Sequence, residues 1–206
     1  MLVAPGHLED APLRWTDCSA VSVDGGPVIT AAHCIVSEEA LPALVLVDPS
    51  NLCVKEAWSA PWRQVETIVV RDAANDIAVL SEKGAATISG NEWETSLAEM
   101  LFDPPIGAEL LAVGWGSVSP EGPRKCEART ERQTVVAAEE CEEAGLRVGS
   151  KICVRDSREN GTGACQGFSG GPVFGSVEGR WALVGLSSTG VGCGADSLGT
   201  VAPLFN

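Results

Sequence analysis

The chain has 206 residues, 45% hydrophobic and 20% charged. These are the proportions of a globular protein able to bury about 70% of its unfolded surface, and they argue against a disordered or fibrous chain. Fourteen basic against 28 acidic residues give a net charge of −14, which repels phosphate backbones and anionic lipid, and no apolar run approaches membrane-spanning length. Nucleic acid and membrane are therefore not expected partners.

Eight cysteines, none in a C-x-x-C pair, and two histidines argue against zinc ribbons and thioredoxin-like sites, so no metal or cofactor is expected. The even count suits up to four disulfides and an oxidising compartment. Met1 to His7 lacks the basic start and apolar stretch of a signal peptide. The chain is read as the mature form of a secreted or periplasmic protein, with an intracellular protein of reduced thiols as the alternative.

Residues 1–17 show no period and read as a surface arm, in which His7 has no assigned role. S-A-V-S-V at 19–23 alternates polar and apolar residues, D-G-G-P at 24–27 turns the chain, and Val28 and Ile29 lead into T-A-A-H-C. Short runs rich in Val, Ile and Leu follow at Leu44–Val47, Val65–Val70 and Ile77–Leu80. Residues 81–91 read as a polar loop and Ser96–Phe102 as a short helix broken by D-P-P at 103–105. The boundary between halves is placed there, giving 1–103 and 104–206. In the second half, strands are expected at Glu109–Val113, Thr130–Val136, Lys151–Val154, Pro172–Phe174, Trp181–Ser187 and Thr200–Leu204, with one helix at Ala137–Ala144. Many short strands separated by Gly-rich turns favour barrels or a sandwich over alternating strand and helix units.

Three stretches carry the chemistry. Gly163 to Pro172, G-A-C-Q-G-F-S-G-G-P, sets Ser169 among glycines that let N–H groups converge beside its hydroxyl; the alternative is a flexible turn. A serine needs a base, and a histidine is the usual one because it titrates near neutrality. His33 in T-A-A-H-C is the candidate, the alternative being a core histidine satisfied by backbone. The imidazole in turn needs a carboxylate to hold its tautomer, and Asp76 in N-D-I-A-V-L precedes an apolar strand where it can be half buried. A turn aspartate is the alternative there.

Taken together, T-A-A-H-C, N-D-I-A-V-L and C-Q-G-F-S-G-G-P in that order resemble the chymotrypsin/trypsin family of serine proteases over roughly Cys18 to Leu204. The resemblance implies an all-β fold of two six-stranded antiparallel Greek-key barrels with the site between them. It implies a serine endopeptidase acting on protein or peptide substrates, with His33 as base, Asp76 as its carboxylate and Ser169 as nucleophile. Gly167 and Ser169 would supply the oxyanion-hole N–H groups, and Gly163, Ala164, Ser188, Gly190 and Gly199 would border the substrate pocket. It also implies disulfides Cys18–Cys34, Cys141–Cys153 and Cys165–Cys193. Cys53 and Cys126 are left over, as a fourth bridge or as two free thiols. G-W-G at 114–116 and the helix around Cys141 are secondary matches.

The chain also departs from that family. Phe168 stands where the family has an aspartate that pairs with a newly freed N-terminal amine, so activation by a new N-terminus is not expected. The expectation is that Phe168 packs into an apolar pocket and the enzyme is active as made. The alternatives are a loop ordered only by a partner, or an inactive binding or regulatory module. Gly163 stands where trypsin-like members carry a selecting aspartate, so the pocket is expected to be neutral and to prefer an apolar side chain. Asp196 is a second candidate for reaching the pocket base and selecting a basic group.

Overall fold

The computed structural model describes residues 2–3, 18–22, 27–35, 44–46, 62–63, 65–82, 103–117, 119–120, 122, 126–157, 162–177 and 179–204. The protein is mostly β. The elements are β1 (Leu2–Val3), β2 (Val21–Ser22), β3 (Val28–Thr30), β4 (Leu44–Leu46), β5 (Trp62–Arg63), β6 (Val65–Asp72), β7 (Ile77–Glu82), β8 (Glu109–Gly114) and β9 (Arg129–Val135). The helix α1 (Ala138–Glu143) follows, then β10 (Ile152–Asp156), β11 (Pro172–Val177), β12 (Arg180–Val191) and β13 (Leu198–Pro203).

The C-terminal half closes into one six-stranded barrel in the order β10-β13-β12-β11-β8-β9, every pair antiparallel. Closure leaves no unpaired strand edge. In the N-terminal half the described strands form a four-stranded sheet β2-β3-β7-β6 and a three-stranded sheet β1-β4-β5. A second closed barrel is not seen among the described residues.

Three apolar clusters hold these parts together. Val28, Ala31, Leu80 and Ala78 lie in the core of the N-terminal sheet, and Leu110, Val154, Val173, Val184 and Val201 fill the barrel. The third joins the halves: Ile29, Ile77 and Val79 from β3 and β7 pack on Leu183, Leu186, Ala202 and Leu204. Strand alternation explains the division, because Val28 and Leu80 point to one face of the sheet while Ile29 and Val79 point to the other. The strand that leads to His33 and the strand that follows Asp76 are thereby fixed to the barrel of the half that carries Ser169.

α1 forms in an Ala- and Glu-rich run whose first turn holds Glu139 and Glu140, favourable at the positive end of the helix dipole. Gly145, at φ 86°, ends it: the Gly145 N–H bonds Glu142 O and the Leu146 N–H bonds Cys141 O, both at 2.9 Å.

Several expectations change. Within the expected surface arm, Leu2–Val3 forms a short strand paired with β4; His7 lies outside the described residues. Ser81 and Glu82, expected to open a polar loop, are instead buried in β7 opposite Thr67 and Val65, and residues 83–91 lie outside the described residues. β12 runs to Val191, past the expected end at Ser187, through a register shift between Ser187 and Gly190. β5 has no counterpart in the sequence reading. The helix expected at residues 96–102 lies outside the described residues.

Candidate active site

β3 runs into a 3-10 turn, Ala32–Cys34, whose packing is tight because Ala31 and Ala32 are small and buried. The Cys18–Cys34 disulfide ties the turn back to the start of the sheet. His33 is the exposed residue of that turn. Its ring Nδ1 lies 3.0 and 2.9 Å from Asp76 Oδ1 and Oδ2, and its backbone N–H donates to Oδ1 at 3.0 Å. Facing a carboxylate, Nδ1 carries the proton, which leaves Nε2 with its lone pair as the acceptor.

Asp76 is reached through a turn that the Asp72 carboxylate holds by accepting the Ala74 and Asn75 N–H groups, each at 3.0 Å. Its φ of 62° is a left-handed value that Asp and Asn tolerate better than most residues. The Asp76 carbonyl accepts the Ala32 N–H at 3.1 Å, so backbone and side chain both bind the histidine turn. The Ser188 hydroxyl, buried on β12, donates to Asp76 Oδ2. Burial works to raise the Asp76 pKa, but the hydrogen bonds from the His33 ring, the Ser188 hydroxyl and the His33 N–H outweigh it and hold the carboxyl below its ordinary value.

Ser169 sits between Cys165 and β11. Its hydroxyl donates to the Ser188 carbonyl at 3.3 Å, and among the described residues it makes no hydrogen bond to His33. Both His33 and Ser169 line one pocket of about 270 Å³. Each peptide flanking the two N–H groups beside the serine is held by its carbonyl: Gln166 O accepts from the Ser117 N–H at 2.9 Å, and Phe168 O from the Gly171 N–H at 2.8 Å. Neither the Gly167 N–H nor the Ser169 N–H donates to an acceptor among the described residues. Gly167, at φ 105°, has its missing Cβ position 2.7 Å from Gly116 Cα, so no other residue fits there.

Phe168 is 1% exposed and is among the largest fully buried side chains. Its ring lies in a slot beside Gly114 and Gly116, whose missing Cβ atoms leave the space it fills. The aromatic residue is therefore a core residue of the barrel, clustered with Leu110, Val173 and Val201.

The pocket is also lined by Gln133, Asp156, Ala164, Ser188, Gly190, Gly199 and Thr200. Gly190 and Gly199 face each other across the β12–β13 register and keep that wall low. Gly163 is buried beside it, its missing Cβ position directly against the Asp156 carboxylate. The expectation of a neutral pocket is thus corrected, because a carboxylate borders the space that the glycine leaves. Burial pushes the Asp156 carboxyl up to about 6, Glu131 adds to the rise, and hydrogen bonds from Gln133 and the Ala164 N–H oppose it. Asp196 does not line this pocket among the described residues; its N–H bonds the Asp156 carbonyl at 3.2 Å.

The structure forms the disulfides Cys18–Cys34, Cys141–Cys153 and Cys165–Cys193. Cys126 is disulfide-bonded as well, and Cys53 lies outside the described residues. The Cys18 and Cys34 sulfurs near His33 are committed to their bridge and present no thiolate to a metal.

Asp156, Gln133 and Ser19 are site residues that the sequence reading missed. A signal for the first two exists in the strand period. In β9, buried Glu131 and Gln133 alternate into Val135, and in β10 Asp156 lies two residues beyond Val154, on the same face. Ser19 leaves no local trace, since its partner is 148 residues away.

The family model described as Trypsin matches residues 10–206. Serine protease 56 of Homo sapiens is 30% identical over 188 residues, covering 86% of this chain and 31% of that protein. Vitamin K-dependent protein C of Oryctolagus cuniculus is 32% identical over 200 residues, covering 86% and 42%. Coagulation factor XI of Bos taurus is 29% identical over 196 residues, covering 89% and 31%. The chain spans less than half the length of these relatives.

Proposed function

The chain belongs to the trypsin family of serine proteases, and on that premise we propose that it is a serine endopeptidase working through an acyl-enzyme on Ser169. The observation that carries the reading is the grip of Asp76 on the Nδ1 and backbone N–H of His33, a residue that lines one pocket with Ser169. His33 takes the Ser169 proton as the hydroxyl attacks the scissile carbonyl, and returns it to the leaving amine. The oxyanion forms against the Gly167 and Ser169 N–H groups, which have no other acceptor among the described residues. For attack, the Ser169 hydroxyl leaves the Ser188 carbonyl and turns to His33, a bond that in unliganded sites often tightens only with substrate.

Further parts of the reading concern organisation. We take residues 1–103 and 104–206 as the two halves of one protease domain, the first forming a second barrel around the β2-β3-β7-β6 sheet. Phe168 offers no carboxylate for a released amine to pair with, so we read the enzyme as active without that step. The disulfides suit a secreted or periplasmic setting. For the side chain preceding the scissile bond, Asp156 at the space left by Gly163 supports a basic group over the apolar one that the sequence alone favours. Glu131 is ion-paired with Arg129, whereas no cation among the described residues pairs with Asp156.

The turn of the Ser169 hydroxyl toward Ser188 favours a second reading, an inactive or partner-activated binding module. Peptide-library hydrolysis decides between them. Cleavage by the purified chain that disappears in Ser169→Ala supports the enzyme. No cleavage, with a protein partner bound equally by wild type and Ser169→Ala, supports the module.

A further inference from the structure

In the trypsin family, resemblance implies that an ion pair at the residue before the nucleophile shapes the oxyanion hole. Phe168 removes that device, so another contact has to set the loop. Ser19 supplies the contacts that meet this loop from the other half of the molecule. Its side chain is completely buried. Its hydroxyl donates to the Gly167 carbonyl at 2.7 Å and accepts the Trp115 N–H at 3.4 Å. Its backbone N–H donates to the Ser169 carbonyl at 2.7 Å. Its own carbonyl accepts the Thr30 hydroxyl at 2.8 Å, which anchors Ser19 to the end of β3, next to the turn that carries His33.

We infer that Ser19 is a positioning residue which, with the Phe168 ring seated beside Gly114 and Gly116, holds the 165–169 loop in its oxyanion-binding conformation with no ion pair to a released N-terminus. The geometry explains how. The Ser19 hydroxyl fixes the carbonyl of the 167–168 peptide, and the N–H of that same peptide bonds Cys165 O at 3.0 Å, so the peptide is held at both ends. With the next peptide before it held through Gln166 O and the next one after it through Phe168 O, neither N–H of the hole can rotate away without breaking a bond. Ser19 touches no reacting atom; it acts through Gly167. A buried serine that merely satisfies a carbonyl would affect stability alone, whereas a positioning residue affects the oxyanion step.

The inference rests on the protease reading, so the test includes a readout independent of turnover. Wild type, Ser19→Ala and Ser19→Thr, each as the full chain, are compared by kcat and KM on the best library peptide and by amide hydrogen exchange over residues 163–172. The expected result for Ser19→Ala is a kcat lowered at least about tenfold with KM within about twofold, since a contact acting only in the transition state lowers kcat without changing binding. Exchange should speed up at least tenfold at Phe168, Gly170 and Gly171, leave α1 unchanged, and return toward wild type in Ser19→Thr, which keeps a hydroxyl. Unchanged exchange in Ser19→Ala, or a rise in KM equal to the loss of kcat/KM, overturns the inference. A wild-type chain that hydrolyses nothing while its loop amides depend on the Ser19 hydroxyl overturns the protease reading and leaves the tether standing.

Discussion

The Gln133 side-chain amide donates a 2.9 Å hydrogen bond to Asp156 Oδ1, and this orientation leaves Gln133 Oε1 buried with no hydrogen-bond partner. A buried acceptor without a donor is costly, and so is a carboxylate whose pKa burial has already raised. A ligand bringing a positive charge to the pocket would offset the cost of that carboxylate.

The first prediction concerns that pocket. At pH 8 a peptide with lysine or arginine before the scissile bond should be cleaved at least about tenfold better, in kcat/KM, than its norleucine counterpart, the order expected for hydrogen bonds to a charged group. The Asp156 carboxyl has a raised pKa of about 6, so it is charged above that pH and neutral below it. The preference should therefore shrink as pH falls from 7 to 5. In Asp156→Asn it should be absent at every pH. A preference for norleucine at pH 8 would restore the apolar reading.

A related prediction concerns stability. A carboxyl that binds its proton more tightly in the folded than in the unfolded chain favours the fold at low pH and opposes it as pH rises from 3.8 through about 6. Replacing Asp156 by Asn should raise the unfolding free energy of the unliganded protein at pH 8, by up to about 3 kcal/mol. At pH 2.5, where the carboxyl is protonated in both states, the two proteins should match. Urea titrations at the two pH values check this.

For Phe168, removal of a fully buried ring from the glycine-lined slot leaves a cavity. Phe168→Ala should cost about 3–5 kcal/mol in urea unfolding. Gly116→Ala should also destabilise, since its Cβ would meet the ring. Stability unchanged in both would show that the slot does not hold the ring.

For Asp76, the Asp76→Asn protein should keep its KM and lose about four orders of magnitude in kcat, the loss typical of a triad whose imidazole takes the wrong tautomer. Because this carboxyl is held below its ordinary value, it stabilises the fold above pH 3.8, and that contribution is lost as pH falls through the lowered value. Acid unfolding of the variant should accordingly be less steep in that range than that of the wild type.

Much of the site was legible because its residues stand in dense local patterns. T-A-A-H-C marks a turn that small residues let pack, and the glycines around Ser169 mark a backbone under tight approach. Strands that stand as short runs rich in Val, Ile and Leu, such as β6 and β7, were also readable. What escaped was long-range or polar. Ser19 meets Gly167 only after the halves come together, and Gln133 and Asp156 are polar residues on the inward faces that end in Val135 and begin at Val154, so the strand period marks them as inward-facing without marking them as part of a site. The pocket was read as neutral because the acid enters from β10 and not from position 163.

The claim that His33 activates Ser169 is tested most directly by mass spectrometry after treatment with a fluorophosphonate. One adduct is expected, located on Ser169, absent in Ser169→Ala and formed at least about a thousandfold more slowly in His33→Ala, because the serine hydroxyl is a poor nucleophile without its base. A folded native protein that takes up no label, or labels equally well after Ser169→Ala, would contradict it.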